Sequence, residues 1–454
     1  MIVLVALALA RPVDGGSYAF DESDVVAFVD GPAGAARVWY SVEGPNLVLQ
    51  GDADLDGVPD FAALVAEMTE AVLVTYADAG FRTIPPDEGE GGSDAMDVYL
   101  VDFGGNADGH YSTENCVGRV CGGYFVMEND FAGYGYSDID SAVRTLTSHE
   151  LFHGIQAAYD SSEASWYQEG TAVWAEQLFD PENEDFVHFC SAYLQDTGRS
   201  IDNPPAGPVP EFAYATALWW WFLTERYGDA WLVDFMESTA GTDDLLDLME
   251  AQTDLRADWI DFATWNAATG SYSGVAESYP FAADLRDIAF EDRGASVDDD
   301  QRFYPLAANY YRVDLEGGAV VFGLGADAPD LEFHLWATDA EGRVTAPAAT
   351  LPNTAGGHAL GELDAGRYIF FGVNPTRAED STKVRVCLGP DAAECAPAAD
   401  TGDTDTADTA ADTGGDDTGE APGDCGCATG SAPAGALVGF AAVCVLRRRV
   451  LPGG

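Results

Sequence analysis

Two histidines and a glutamate stand at the spacing H-E-x-x-H in the stretch His149-Glu150-Leu151-Phe152-His153. Residues four apart on an α-helix lie one above the other on the same face, so both imidazoles can aim at one metal ion. Glu150 is rotated away from that line and can act on a metal-bound water without taking a coordination position. The chain has only 6 His in 454 residues, so a chance match is improbable. The stretch predicts a zinc site; the alternative is two core histidines one turn apart.

The residues before the motif favour a helix. Ser137, Asp138 and Asp140 offer side-chain oxygens that can cap a first turn. No Gly or Pro interrupts residues 139–153, and apolar side chains recur through the segment. We therefore expect one helix to carry both histidines.

A catalytic zinc site needs a third protein ligand and an open position for water. The metzincin continuation, H-E-x-x-H-x-x-G-x-x-H, is excluded because Gln156 and Tyr159 occupy the required Gly and His positions. The next candidate is Glu169, sixteen residues after His153, within the sequence Glu-Gly-Thr-Ala. That distance leaves room for the first helix to end near Asp160 and for a second helix to return beside it. Asp160 and Glu163 are lower-ranked alternatives for the third ligand.

At this point the sequence resembles the gluzincin metallopeptidases, in which H-E-x-x-H is followed by a helix with a Glu ligand, often as E-G-x-A. The resemblance implies that His149, His153 and Glu169 hold the zinc. It makes Glu150 the general base for the zinc-bound water, which then attacks a carbonyl polarised by the same metal.

Two supporting roles are less closely matched. Thermolysin-like gluzincins carry an Asp that orients a histidine, but that position is Val173 here, and Glu176 is the candidate instead. The alternative for Glu176 is a solvated helix residue. Gluzincins often stabilise the oxyanion with a Tyr or His from a later helix, which implies Tyr214 or, more weakly, His188. The alternative for Tyr214 is an aromatic in the core of the Trp219–Phe222 helix.

The composition restricts the class of partner. With 20 basic residues against 78 acidic ones, the net charge is −58, which argues against nucleic-acid binding. A hydrophobic fraction of 47% is that of a globular chain, so the acidity belongs to the surface and the linkers. Such a surface suits a secreted protein that must stay soluble. We expect a monomer that acts on a protein or peptide substrate.

Export is also predicted by the N-terminal residues. Residues 1–10 are apolar and end in Ala8-Leu9-Ala10, which fits the A-x-A pattern of a signal-peptide cleavage site. The segment is too short to span a membrane and lacks the usual positive region. The alternative is a buried N-terminal strand.

The cysteines are consistent with an oxidising compartment. Cys116 and Cys121 are close in sequence, as are Cys387 and Cys395, and both pairs are typical of small disulfide loops. Neither pair has a second pair at the ligand spacing of a zinc ribbon. Cys190 has no obvious partner and is predicted to be a buried thiol.

A second metal site is indicated by the acidic stretch at residues 51–60. Carboxylates alternate around a Gly turn, as in the loops that present oxygens to Ca²⁺. The predicted ligands are Asp52, Asp54, Asp56 and Asp60. The twelfth position is Ala63 instead of the bidentate Glu of a full EF-hand, so the site would be weaker or closed differently. The alternative is an acidic turn that caps the following helix, residues 61–79.

The order of elements predicts an α+β fold with a zincin-like catalytic domain at residues 15–290. Residues 36–42, 97–103 and 123–127 have the pattern of strands, and residues 212–269 are helical. The resemblance implies a mixed sheet, the active-site helix and a helical lower half. It also implies that the strand at 123–127 is the edge that pairs with an extended substrate.

The residue pattern and composition change again in the rest of the chain. Short alternating segments at residues 296–397 predict an accessory β-sandwich, and the Asp/Thr-rich residues 398–424 predict a disordered acidic linker. Residues 425–449 combine Cys-Gly-Cys, an apolar run and three arginines. This order resembles the MYXO-CTERM sorting tails of myxobacterial surface proteins, which implies membrane anchoring at the outer cell surface. The alternative is an ordinary C-terminal anchor.

Together these features predict a secreted, surface-tethered zinc endopeptidase that needs Zn²⁺ and has a candidate Ca²⁺ loop. Two alternatives remain open. One is a non-catalytic binding or adhesion protein on the same scaffold, against which the intact Glu150 counts. The other is a zinc amidase that acts on cell-wall bonds, because the zinc chemistry would be the same.

Overall fold

A computed structural model describes residues 11–14, 18–203, 211–242, 244–377, 380–390, 392 and 395, and the backbone of 425–426. The predicted signal peptide, the acidic linker and the rest of the predicted tail lie outside these residues. The described chain has the predicted α+β class, with helices around one mixed sheet followed by two further sheets. Across these ranges, no helix is both long and apolar enough to cross a membrane.

The first sheet combines parallel and antiparallel strands. In chain order its main strands are β1 (Val26–Asp30), β2 (Ala36–Ser41), β3 (Met96–Val101), β4 (Gly109–Val117) and β5 (Val120–Glu128). Across the sheet the order is β1-β2-β3-β5-β4, and the backbone of Cys425–Gly426 pairs with the outer side of β4. β2, β3 and β5 are parallel, whereas β1 and β4 are antiparallel to their neighbours.

The expectation that residues 123–127 form the edge strand is wrong. They belong to β5, which is hydrogen-bonded to β3 on one side and to β4 on the other. The outer strand is β4, which precedes β5, leads into it through a hairpin at Gly118 and is joined to it by the Cys116–Cys121 disulfide. Its second half is polar and exposed, so its sequence carries no clear alternation of apolar residues.

The α-helices of the described chain lie between residues 60 and 267. They are α1 (Asp60–Asp78), α2 (Ile139–Ala157), α3 (Ser165–Phe179), α4 (Asp185–Gln195), α5 (Glu211–Ala215), α6 (Ala217–Tyr227), α7 (Asp229–Thr239), α8 (Leu245–Gln252) and α9 (Leu255–Ala267). Alternate residues of β3, Val98 and Leu100, join α1 and α2 in the main core. The other face of β3, with Tyr99 and Val101, packs against Tyr18 and Phe20.

The helix that carries the histidines is capped and anchored as its sequence suggests. Asp138 accepts a hydrogen bond from the backbone N–H of Ser141 at 2.8 Å, which satisfies one of the free donors of the first turn. Near the motif, the hydroxyl of Tyr76 on α1 donates to the carbonyl of Ser148 at 2.7 Å. The buried Phe152 packs against Tyr76 with ring centroids 5.2 Å apart. α2 is thus held by contacts directly before His149 and between the two histidines.

α3 approaches the α5–α6 junction very closely at Gly170. A Cβ at this position would lie 2.2 Å from Oγ1 of Thr216 and 2.8 Å from Nε1 of Trp220. The Thr216 hydroxyl donates to the carbonyl of Ala213 at 2.7 Å, and Trp220 is fully buried. The glycine next to Glu169 therefore has a packing reason, because any side chain would push α3 away.

The C-terminal part contains two packed sheets. Their strands are β6 (Glu291–Asp292), β7 (Val297–Phe303), β8 (Ala307–Leu315), β9 (Gly318–Leu324), β10 (Glu332–Thr338), β11 (Val344–Leu351), β12 (Gly356–Leu363), β13 (Gly366–Asn374) and β14 (Thr382–Gly389). One sheet has the order β11-β10-β13-β8-β6 and the other β12-β9-β14-β7. Phe322 of the second sheet lies 5.3 Å from Phe333 and 5.9 Å from Phe370 of the first, ring centroid to ring centroid.

These sheets are joined to the helices by specific contacts. The hydroxyl of Tyr310 donates to the carbonyl of Ala263 on α9 at 2.7 Å. Arg377 pairs with Asp244 at 2.8 Å, just before α8. Cys387 and Cys395 form the second disulfide, and Cys190 is a buried free thiol.

Candidate metal centre

Three side chains from two helices converge beside β4. Nε2 of His149 lies 3.3 Å from Oε2 of Glu169, and Nε2 of His153 lies 3.6 Å from the same oxygen. Potential ligand atoms of the three residues all lie within 4.8 Å of one another, and each residue is buried. α2 supplies the two nitrogens from successive turns, and α3 supplies the oxygen.

The other nitrogen of each imidazole is already engaged. Nδ1 of His149 lies 2.8 Å from Oε1 of Glu176, two turns after Glu169 on the same face of α3. Nδ1 of His153 lies 2.8 Å from Oε1 of Gln156. A carboxylate and an amide oxygen can only accept, so both Nδ1 atoms carry protons and both Nε2 atoms face Glu169.

The orientation of Gln156 follows from its own partners. Its Nε2 lies 2.7 Å from the carbonyl of Gln168 and 2.7 Å from Oγ1 of Thr171. A carbonyl accepts only, so the amide nitrogen must point to α3 and the amide oxygen to His153. In the sequence, Gln156 only excludes a metzincin, and its contact with His153 is not evident. The one available signal was its position three residues after His153, on a neighbouring part of the helix face.

Glu150 is fully buried and has no hydrogen-bond partner for either carboxylate oxygen among the described residues. Burial raises the pKa of Glu150 to about 7, against the opposing effect of His153 and His149. An unpaired buried carboxylate is costly to folding, and such groups concentrate at functional sites. With this raised pKa, Glu150 can take up a proton near neutral pH.

The charges around the histidines fit a divalent cation. Glu150, Glu169 and Glu176 are each at most 3% exposed, so three carboxylates share one buried region with two imidazoles. With protein groups alone, burial would raise the pKa of Glu169, but His153 and His149 lower it to about 2. Protonated imidazoles or a bound cation can supply the positive charge that stabilises the Glu169 carboxylate. Two imidazole nitrogens and a carboxylate oxygen are a donor set that Zn²⁺ accepts.

Of the two candidate oxyanion donors, Tyr214 is the one that lies beside the candidate metal ligands. Its ring stacks on His149 with centroids 5.6 Å apart and an interplanar angle of 28°. Phe189 covers the other side of the Tyr214 ring at 5.1 Å. His188 is turned elsewhere: its Nε2 lies 3.6 Å from Oε1 of Glu211, and its side chain is 46% exposed.

The alternative third ligands are engaged away from the histidines. Asp160 pairs with Arg119 at 3.1 Å and accepts a 2.6 Å hydrogen bond from the hydroxyl of Ser162. Glu163 lines a separate surface pocket together with Arg119. Glu169 is thus the carboxylate that the fold brings to His149 and His153.

The acidic loop at residues 51–60 groups three of its four predicted ligands. Carboxylate oxygens of Asp52, Asp54 and Asp56 lie within 4.8 Å of one another. Asp60 is not in this group; its two oxygens accept from the N–H of Ala53 at 3.2 and 3.1 Å. The loop turns through Gly57 at φ 91°.

We expect calcium to stabilise the fold through this loop. A site with a dissociation constant of about 10⁻⁴–10⁻³ M would add about 1–3 kcal/mol at about 10 mM Ca²⁺. The test is thermal unfolding in CaCl₂, with MgCl₂ at the same concentration as the control for screening of the acidic surface. In Asp54→Asn the calcium-specific increment should disappear. Equal effects of both salts would leave the loop as an acidic turn.

Comparisons with known proteins add no family. No protein-family model and no curated protein matches the chain. Among solved structures, Aeromonas hydrophila PliG, a periplasmic inhibitor of g-type lysozyme, matches at 10% identity over 22% of this chain and 98% of its own, with a TM-score of 0.17. Salmonella Typhimurium PliG matches at 14% identity over 22% and 97%, with a TM-score of 0.14. Scores this low carry no argument about fold or function.

Proposed function

We propose that the chain is a zinc-dependent endopeptidase of gluzincin type. The observation that carries the proposal is the meeting of His149, His153 and Glu169 beside the unpaired, buried Glu150. Three ligands and a neighbouring carboxylate base are what metal-assisted hydrolysis requires. The zincin-like character of the catalytic region is part of the same proposal.

His149 and His153 would hold the zinc through Nε2, and Glu169 through a carboxylate oxygen. Bound zinc would supply a Lewis acid and lower the pKa of a nearby water. Glu150 would accept the proton of the attacking water and pass it to the leaving amine. Glu176 and Gln156 would keep the two imidazoles in the tautomer that leaves Nε2 available.

The position of β4 beside the active-site helix favours a peptide as the substrate. α2 runs beside β4: a Cβ on Gly109 would lie 2.9 Å from Leu146, and a Cβ on Gly154 would lie 2.8 Å from the ring of Tyr111. The histidine motif lies between these contacts. The backbone of Cys425–Gly426 pairs antiparallel with β4 at Tyr111 and His110, so this side can accept another strand. We propose that an extended substrate pairs here.

The direct test of the proposed activity is hydrolysis of casein and of peptidoglycan by the purified full chain. We expect casein cleavage that stops after treatment with a chelator and returns when Zn²⁺ is added. Cleavage of peptidoglycan alone would favour the amidase. Bound zinc without cleavage of either substrate would favour the binding or adhesion protein.

The cellular setting is also a proposal. We propose an exported protein that is tethered to the outer surface by residues 425–449 and works as a monomer. The support comes from the sequence of the two ends and from the two disulfides, which suit an oxidising compartment. Fractionation of cells with an antibody against the folded region would test it.

Gln156→Met should weaken zinc binding about 10–100-fold, the usual effect of losing a partner that orients a ligand. The substitution keeps the length of the side chain but frees Nδ1 of His153 and breaks the links to α3. Competition with a chelator measures the affinity. Thr171→Ser, which keeps the hydroxyl that Gln156 contacts, is the matched control and should bind zinc normally. Unchanged affinity in Gln156→Met would contradict the orienting role.

Tyr214→Phe should lower kcat about 10²–10³-fold with little change in KM, as for loss of one oxyanion donor. The ring that stacks on His149 is kept, so zinc content should not change. Steady-state kinetics on a peptide substrate measures the two parameters. His188→Gln is the control, since His188 faces Glu211. An unchanged kcat in Tyr214→Phe would remove the tyrosine from the mechanism.

A further inference from the structure

Arg11 is buried on the face of the first sheet opposite α2 and uses all of its N–H donors. Nε donates to Glu114 at 3.2 Å, one terminal nitrogen donates to Tyr99 at 3.2 Å and to Asp97, and the other donates to Asp87 at 2.7 Å and to Glu114. The Arg11 side chain is 4% exposed. A guanidinium offers five N–H donors, so this set of acceptors satisfies it completely.

The acceptors come from distant parts of the chain. Asp97 is on β3, Glu114 is on β4, and Asp87 is in the loop before β3. They are 1%, 10% and 4% exposed, respectively. They form a pocket, which we call the arginine pocket, whose shape and polarity match one arginine side chain. Nothing in the proposed hydrolysis uses it.

The segment after Arg11 is fixed to the same face. The carbonyl of Pro12 accepts a hydrogen bond from the N–H of Phe20 at 3.1 Å. Tyr18 and Phe20 pack against the cluster that contains Tyr99. Residues on both sides of 15–17 are therefore held at the sheet, and Arg11 is the residue that directly follows Ala8-Leu9-Ala10.

The arginine pocket contains more negative than positive charge. One guanidinium faces three carboxylates, and the neighbouring Arg37 is bound to Asp30 at 2.7 Å. Nε1 of Trp39 donates to Asp97 at 2.8 Å, but an indole brings no charge. Burial raises the pKa of Asp97 to about 6 against the effects of Trp39 and Arg11. A second positive charge would relieve the excess.

We propose that Asp87, Asp97 and Glu114 form the binding site for the N-terminal residue of the processed chain, Arg11. An export signal peptidase would hydrolyse the Ala10–Arg11 peptide bond. Water is consumed, Ala10 leaves with a carboxylate, and Arg11 gains an α-ammonium group. The guanidinium is bound by all three carboxylates, and cleavage adds a second positive charge to the same residue. In an uncleaved chain the same position carries a neutral amide.

The first test is the N-terminus of the full chain produced in an exporting bacterial host. Mass spectrometry of the N-terminal peptide should find a chain that begins at Arg11 with a free amino group. A chain that begins upstream of Arg11, or one that has lost Arg11, overturns the proposal. The result does not depend on the proposed peptidase activity, which is measured separately.

The second test asks whether the ammonium group contributes. The chain from Arg11 onward, released from a removable fusion partner, is compared with the same chain carrying an additional Gly-Ser before Arg11. We expect the extension to lower the Tm by roughly 2–4 °C while zinc content stays the same. In Asp97→Asn, which removes one carboxylate, the difference between the two N-termini should shrink. Equal Tm values for the two N-termini in the parent would overturn the role of the ammonium group.

Discussion

Glu150→Gln should lower kcat/KM for peptide cleavage by a factor of about 10²–10⁴, the usual contribution of a general base. The amide has nearly the shape of the carboxylate but cannot take a proton from water at neutral pH. Glu150 is not one of the three candidate zinc ligands, His149, His153 and Glu169, so zinc content should remain that of the parent. Kinetics on a peptide substrate and metal analysis of the same preparation give both numbers.

A matched control separates this effect from the loss of one negative charge. Glu182 is an exposed residue in the turn between α3 and α4. Glu182→Gln removes the same charge from the surface and should leave kcat/KM unchanged. Full activity in Glu150→Gln would show that another group activates the water, and the proposed mechanism would be wrong.

Glu169→Gln should lose zinc and, with it, activity. The carboxylate oxygen 3.3 and 3.6 Å from the two Nε2 atoms is replaced by a neutral amide, which is a poor ligand for zinc. Loss of a residue that only orients a ligand weakens binding about 10–100-fold, so loss of a ligand should exceed about 100-fold. Chelator competition measures the affinity, and excess Zn²⁺ should restore part of the activity.

Glu163→Gln is the control for Glu169→Gln, because the sequence also offers Glu163 as a candidate third zinc ligand. It lies in the loop before α3 and lines a different pocket, so zinc affinity should be that of the parent. Zinc retained in Glu169→Gln but lost in Glu163→Gln would reverse the assignment of the third ligand.

Much of the centre could be predicted because it depends on the geometry of single helices. His149 and His153 are one turn apart on α2, and Glu169 and Glu176 are two turns apart on α3. Once two helices pack side by side, these spacings decide which atoms can meet. The same local logic located α1 and indicated the β-structure of residues 296–397.

The missed features depend on contacts between distant segments. Strand order placed β4 outside β5, and no periodicity within residues 123–127 could reveal that. Gln156 acquires its role only when α3 lies beside it. Arg11 meets carboxylates 76 to 103 residues further along the chain. Such contacts depend on how distant segments are arranged in the whole fold. Local patterns in the sequence do not reveal that arrangement.

The central claim is tested most directly by X-ray diffraction from crystals of the zinc-loaded full chain at the zinc absorption edge. The proposal predicts one anomalous peak in contact with Nε2 of His149, Nε2 of His153 and a carboxylate oxygen of Glu169, at distances of about 2.0–2.2 Å. A zinc peak elsewhere, or a site between these side chains that stays without metal in the presence of excess zinc, would contradict it.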